Sequence, residues 1–174
     1  VLFLPFLCWQ CSDDDVNVVF EMQYPNLQFN IHAGLNTIDA HFFIIRDIPT
    51  NKAAFFRDRD ESEIIEISPS TAVIRGVQGN LADYSFVDEM VIRICDDNQI
   101  NESNIFQKCR REIFFREAIP FNTGNRVDLI PNAINLKSEL TQDNFTVAVV
   151  LNRLRGFSSL EMPSRLELQF QAKR

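Results

Sequence analysis

Short runs in which hydrophobic and polar residues alternate recur along the chain. Residues 90–95 and 166–171 show the pattern most clearly, with an apolar residue at every second position. A period of two is typical of a strand with one buried face. Helical periodicity is weak, so residues 134–140 are the one helix candidate, and residues 105–119 fit either a strand or a short helix.

Turn-forming residues divide these runs. Pro25 separates the apolar runs 16–20 and 27–31, because proline interrupts a regular element. The Ser-Pro-Ser-Thr cluster at residues 68–71 is expected to turn and to divide residues 64–74 into two strands. Many short strands about ten residues apart predict an all-β chain with the architecture of a Greek-key β-sandwich.

Composition and charge narrow the function classes. Hydrophobic residues make up 45% of the 174 residues and include sixteen Phe, so a sizeable core can form. The formal net charge of -7 argues against a nucleic-acid partner, which requires a basic face. An acidic surface also keeps a chain soluble.

The first eleven residues, VLFLPFLCWQC, form an apolar run that is followed by three Asp. We interpret residues 1–11 as the end of a secretory signal peptide, with a first β-strand as the alternative. The run is too short to span a bilayer, and no other stretch approaches the roughly 18 apolar residues that a span needs. A membrane anchor, if the protein has one, is expected outside this sequence.

The four cysteines support secretion. Cleavage of the leader either removes Cys8 and Cys11 or leaves them at the cleavage site, so Cys95 and Cys109 are expected to close a disulfide loop in an oxidising compartment. Cys8 and Cys11 have the spacing of a zinc or redox pair, but no second pair completes such a site.

Two sequons, at Asn101 and Asn144, predict N-glycosylation. Catalytic motifs are missing from the sequence: it has no glycine-rich phosphate loop and no nucleophile elbow. His32 and His41 lie beside no Ser, Cys or carboxylate motif typical of an active site. The chain is therefore not expected to be an enzyme.

Residues 65–74, IEISPSTAVI, resemble the strand that reads Phe-x-Ile-x-Pro-x-Thr-Gly-x-Ile in cadherin repeats, with Ala72 in place of the usual Gly. Residues 81–84, Leu-Ala-Asp-Tyr, resemble the turn that follows this strand. Residues 87–96 resemble the closing strand, and residues 29–47 are similar to the opening of a repeat.

A second copy is suggested by residues 117–123, which resemble the Glu-bearing first segment of a repeat, and by residues 166–173, which resemble its closing strand. The resemblance implies two tandem immunoglobulin-like, cadherin-like repeats. The first would cover residues 12–112 and the second, shorter one residues 113–174, with the boundary near residues 111–118.

Calcium ligands are implied by the same resemblance at Asp47, Asp83 and Glu117. The cadherin linker Asp-x-Asn-Asp-Asn-x-Pro is absent between the two copies, and Tyr84 and Ala33 stand where cadherins carry a calcium-binding Glu. Because calcium prefers several converging oxygen ligands, we expect weak calcium binding and a flexible linker.

A second family also resembles this chain: the N-terminal domain of Delta/Jagged-type Notch ligands. Its short-spaced cysteine pair is similar to Cys95 and Cys109, and its last strand is similar to residues 166–174. The cadherin resemblance implies a secreted or plasma-membrane protein that acts outside the cell in adhesion, through homophilic or heterophilic contact with a cell-surface protein. The alternative is a receptor-binding module of the Notch-ligand type.

Overall fold

The computed structural model describes residues 17–57, 59–77, 82–96, 99–101 and 103–174. The predicted leader, with Cys8 and Cys11, lies outside the described residues. The eight strands are β1 (Val18–Ile31), β2 (His41–Pro49), β3 (Glu66–Gly76), β4 (Val87–Cys95), β5 (Arg111–Arg116), β6 (Arg126–Pro131), β7 (Asn144–Leu154) and β8 (Met162–Lys173). The short helices are α1 (Lys52–Phe56), α2 (Ile105–Lys108) and α3 (Lys137–Leu140). The prediction of an all-β chain is confirmed.

The strands pair antiparallel in the order β1-β8-β3-β6-β5-β4-β7-β2. A short ladder at Phe114 and Phe115 of β5 joins the first four strands of this order to the last four. The two end strands, β1 and β2, approach each other through Phe29 and Phe43, whose ring centroids are 5.8 Å apart. The sheet therefore nearly closes, and its strand order is that of a jelly roll.

This pairing does not support the predicted division into two tandem repeats at residues 112 and 113. The boundary falls inside β5, which pairs with β4 of the first proposed repeat. The late strand β8 lies between β1 and β3, and β7 lies between β4 and β2. Strands from both proposed repeats alternate in one body, because periodicity identifies a strand without identifying its neighbours.

Two predicted interruptions are absorbed as irregularities within long strands. The pairing of β1 with β8 shifts register between Tyr24 and Leu27, around Pro25, so one strand continues where two were expected. The pairing of β3 with β8 shifts between Pro69 and Thr71, so the predicted turn at residues 68–71 is wrong. A bulge accommodates proline because the ladder is already broken there.

The two ambiguous segments are also resolved. Residues 105–119 contain both of the proposed elements, since α2 precedes β5. The helix candidate at residues 134–140 forms only its last turn, as α3.

The central strands β4 and β7 are buried on both faces. Their inner faces join the main core, and their outer faces pack under the segment that connects β4 to β5. Cys95 and Cys109 are joined by a disulfide at the two ends of this segment. Ile100 and Ile105 of the segment pack against Val91 and Val150, so the disulfide holds an apolar cover on the sheet.

Buried polar groups are paired across the core. The Tyr84 hydroxyl donates to Ser164 Oγ at 2.8 Å, and Ser164 Oγ donates to the carbonyl of Met162 at 3.0 Å. The Tyr24 hydroxyl donates to the carbonyl of Thr50 at 2.9 Å. Burial raises the pKa of Tyr84 to about 12 and also raises the pKa of Tyr24 well above its ordinary value.

We predict that Ser164→Ala destabilises the fold more than Tyr84→Phe does. Removal of the serine hydroxyl leaves the Tyr84 hydroxyl buried without its acceptor, at a cost of about 1–3 kcal/mol. Removal of the tyrosine hydroxyl leaves Ser164 bonded to Met162, at a cost of about 0.5–1.5 kcal/mol. Urea unfolding of the two variants measures the difference, and the reverse order would contradict the assignment of donor and acceptor.

We also predict that the two tyrosines of the chain ionise abnormally late. An unfolded tyrosine loses its proton near pH 10, whereas folded Tyr84 keeps its proton until about pH 12. The stability contributed by this group is complete below pH 10 and falls as the pH rises towards 12, because only the unfolded state then releases the proton. Phenolate absorbance of folded protein, with Tyr84→Phe as the control, tests this prediction, and ionisation near pH 10 would refute it.

Candidate functional site

Strand direction gathers four connections at one end of the barrel. All odd-numbered strands run towards this end and all even-numbered strands run away from it, because every pair is antiparallel. We call this surface the loop end. Its described residues are 32–40, 77, 82–86, 117–125 and 155–161.

The loop end concentrates exposed hydrophobic side chains. Five of the nine large exposed hydrophobic residues in the described ranges lie there, and they are Ile38, Val77, Phe121, Phe157 and Leu160. Ile38 is 92% exposed, Phe121 is 77% exposed and Phe157 is 69% exposed. Single exposed hydrophobic residues are ordinary, whereas several on one surface mark an interaction site.

Arg155 ties three of the four loops together. Its backbone N–H donates to the carbonyl of Phe86 at 2.8 Å, and its guanidinium donates to the carbonyl of Val87 at 2.9 Å and to the carboxylate of Asp88. The same guanidinium lies 4.5 Å from the centre of the Phe121 ring. One side chain therefore positions an exposed aromatic ring over the start of β4.

Ser158 connects the fourth loop, residues 32–40, to the loop that follows β7. Its hydroxyl donates to the carbonyl of His32 at 2.7 Å and accepts from the backbone N–H of Leu35 at 3.0 Å. Its carbonyl accepts from the N–H of Gly34 at 2.7 Å. Gly34 has a φ of 79°, a conformation that glycine adopts without strain. Ser158 is buried, so these bonds are shielded from water.

Asn36 orders the loop that presents Ile38. Its side-chain oxygen accepts from the backbone N–H groups of Ile38 and Asp39 at 2.9 and 2.8 Å, an Asx turn. Its side-chain nitrogen donates to the Asp39 carboxylate at 2.9 Å, and its carbonyl lies 2.8 Å from Nε2 of His41. The most exposed hydrophobic residue of the loop end therefore sits on a hydrogen-bonded turn.

A cavity of about 420 Å³ opens beside this turn. Its walls combine apolar and polar side chains, and the lining residues are His32, Leu35, Asn36, Asp39, Ala40, His41, Phe42 and Phe43. The loop end as a whole is acidic: its sequence contains Asp39, Asp83, Glu117 and Glu161 against the single cation Arg155. All four carboxylate residues are exposed, whereas Arg155 is half-buried.

The structure does not bring the predicted calcium ligands together. Asp83 lies at the loop end, where its side chain accepts from the N–H of Ser85 at 2.9 Å and caps a short 3-10 helix. Glu117 is exposed after β5 at the same end. Asp47 lies near the opposite end of the barrel, with a φ of 52° at the register shift of β2. Within the described ranges, no group of three His, Cys, Asp or Glu residues is arranged to hold a metal ion.

The two predicted glycosylation sites also lie away from the loop end. Asn101 is exposed in the disulfide-closed segment, where its side-chain oxygen accepts from the N–H of Ser103 at 3.0 Å. Asn144 is the exposed first residue of β7 and pairs with Pro49. Glycans at these positions would leave the loop end accessible.

Sequence reasoning missed the loop end because it assigned its residues to other elements. Ile38 falls within residues 29–47, which we interpreted as the opening of a repeat, whereas the structure places it in the loop before β2, which begins at His41. Phe121 counted as part of a repeat opening. The available signal was the placement of Phe121, Phe157 and Leu160 among Pro, Gly and Ser, where a turn exposes a large side chain.

Comparisons with known proteins give distant structural likenesses alone. Neither a family model nor a curated protein matches this sequence. The crystal structure of the decameric BFDV capsid protein aligns with a TM-score of 0.32 and 12% identity, over 88% of this chain and 96% of that one. A Nora virus structure aligns with a TM-score of 0.28 and 6% identity, over 91% of this chain and 60% of that one. At such TM-scores these likenesses carry no conclusion about fold or function.

Within the described residues, no helix is long and apolar enough to span a membrane.

We predict that Arg155→Ala loosens the loop end without unfolding the barrel. The change removes the bonds to Val87 and Asp88 and the contact with Phe121, so amide hydrogen exchange should accelerate by roughly tenfold in residues 84–88 and 119–124. Arg153→Ala is the matched control, since Arg153 also pairs with Asp88 but is more exposed. Equal exchange rates in both variants would show that Arg155 does not order these loops.

Proposed function

We propose that this chain is an extracellular protein-binding module that contacts its partner through the loop end. The observation that carries the proposal is the set of five exposed hydrophobic residues on loops that are hydrogen-bonded to one another. Protein interfaces are built around such apolar anchors, and a preordered surface loses less conformational entropy on binding.

The extracellular location is supported by the disulfide and by the exposed asparagines of the two sequons, Asn101 and Asn144. Cell adhesion, predicted from the cadherin resemblance, remains the form of contact that we propose, and receptor binding of the Notch-ligand type is the alternative. Both use one protein surface against another. The interleaved strand order changes the geometry of the adhesion proposal, since the partner would meet one end of a single barrel instead of a rod of repeats.

The proposed binding can be tested for its dependence on calcium, which the cadherin resemblance implies. Asp83 and Glu117 lie at the loop end, so a bound cation would act close to the contact surface, whereas Asp47 lies too far along β2 to share it. A dependence on calcium would therefore require ligands from the partner or from other residues of the loop end.

The proposal predicts that a triple variant of the loop end loses binding to cells that display the partner. We would compare Ile38→Ala/Phe121→Ala/Phe157→Ala with a control that truncates three exposed hydrophobic residues away from the loop end, Val18→Ala/Ile65→Ala/Phe106→Ala. Both sets replace exposed residues. Loss of interface anchors should weaken binding of the secreted full chain at least about tenfold in the first variant alone.

Cell binding is measured by flow cytometry with and without calcium, and circular dichroism checks that both variants fold. Equal binding by the two variants would exclude the loop end as the contact surface. Loss of binding in the absence of calcium would support the calcium-dependent form of adhesion. Sedimentation of the wild-type chain at increasing concentration separates homophilic from heterophilic contact.

A further inference from the structure

We infer that the partner presents a segment that is both cationic and apolar, with a Lys or Arg side chain that enters the cavity beside Asp39. This inference rests on the proposed function and specifies the chemistry of its partner. The apolar side chains of the segment would cover Ile38, Phe121 and Phe157.

The charge of the loop end indicates a basic partner. Its four loops contain four carboxylates and one cation in the complete sequence. The cation, Arg155, is already bonded to Asp88 and covered by the Phe121 ring. A partner therefore meets an apolar centre with an acidic rim, and a basic rim is its electrostatic complement.

The cavity beside Asp39 can hold a long basic side chain. Asp39 is exposed at its mouth, and its carboxylate is held by the side-chain amide of Asn36 at 2.9 Å. Aromatic and aliphatic walls are supplied by Phe42, Phe43 and Leu35. A guanidinium or ammonium group can pair with the carboxylate while its alkyl stem packs on such walls. Arginine is enriched among the residues that anchor interfaces, and it also stacks on aromatic rings.

Neither end of a second copy of this chain supplies the basic complement. A two-fold contact through the loop end would place the same four carboxylates against each other. The loops at the opposite end of the barrel, residues 50–65, 96–110 and 132–143, contain six Lys and Arg against nine Asp and Glu. Both ends of the barrel are therefore acidic, so a contact between the ends of two copies supplies no basic surface.

The test uses three designed peptides of equal length and the full chain. The first places Leu at positions i, i+3, i+4 and i+7 and Arg between them so that one helical face is apolar, the second replaces every Arg with Glu, and the third replaces every Leu with Ser. Fluorescence anisotropy should show that the first peptide binds at least about tenfold more tightly than the other two. Its affinity should fall as salt is added, because charge pairs on a surface are screened.

Variants locate the contact. Asp39→Asn keeps the shape of the side chain but removes its charge, so the affinity for the first peptide should fall by about three- to tenfold. Asp143→Asn is the matched control, since it changes the net charge equally at the opposite end, where the Asp143 side chain is 90% exposed. The control should bind the peptide as the wild type does. Anionic lipid vesicles, which carry the wrong charge, should not bind to the wild-type chain.

The outcomes separate this inference from the proposed function. Equal binding of the Arg and Glu peptides, or equal loss in Asp39→Asn and Asp143→Asn, overturns the inference of a cationic partner. So does the failure of every peptide while cell binding still depends on Ile38, Phe121 and Phe157. Binding to anionic vesicles through the same residues would also overturn it. If cell binding does not depend on those three residues, the proposed function itself fails.

Discussion

The two last strands of the chain provide the pairing on which the rest of the barrel depends. β8 is the neighbour of both β1 and β3, and β7 is the neighbour of both β2 and β4. Four strands of the first half therefore lack their main backbone partners until the last thirty or so residues arrive. Folding that requires such distant pairing is slow, since loop closure costs entropy before the contacts repay it.

The same constraint links the fold to the candidate site. Arg155 and Ser158, which tie the loops of the loop end together, lie in the connection between β7 and β8. The surface is thus organised by the segment that also completes the sheet. On flexible loops, an exposed apolar surface would lose much conformational entropy on binding a partner. Hydrogen bonds between the loops of the loop end order their backbone in advance, so less conformational entropy is lost.

The sequence predicts the strands better than their arrangement. Alternation in residues 90–95 and 166–171 identifies β4 and β8, and the near-continuous apolar run of β7 agrees with its burial on both faces. Pro25 and Pro69 mislead because a bulge accepts proline where a regular ladder does not. Periodicity cannot report that β8 lies between β1 and β3, so the sequence carried no sign that strands from the two sides of residues 112 and 113 interleave. The topology places Ile38, Asp39 and Phe121 at the same end of the barrel, which no local pattern predicts.

Interleaved pairing also bears on how such a chain can vary over generations. A protein built from tandem repeats can be cut and rejoined between repeats, and each piece keeps its own core. Here a breakpoint anywhere between β1 and β8 separates strands that pair with each other. Recombination of gene segments within the barrel would therefore disrupt strand pairing, whereas substitutions in the four loops of the loop end leave every pair of strands intact. The strands of the barrel can therefore stay unchanged during evolution while the residues of the loop end change together with the partner.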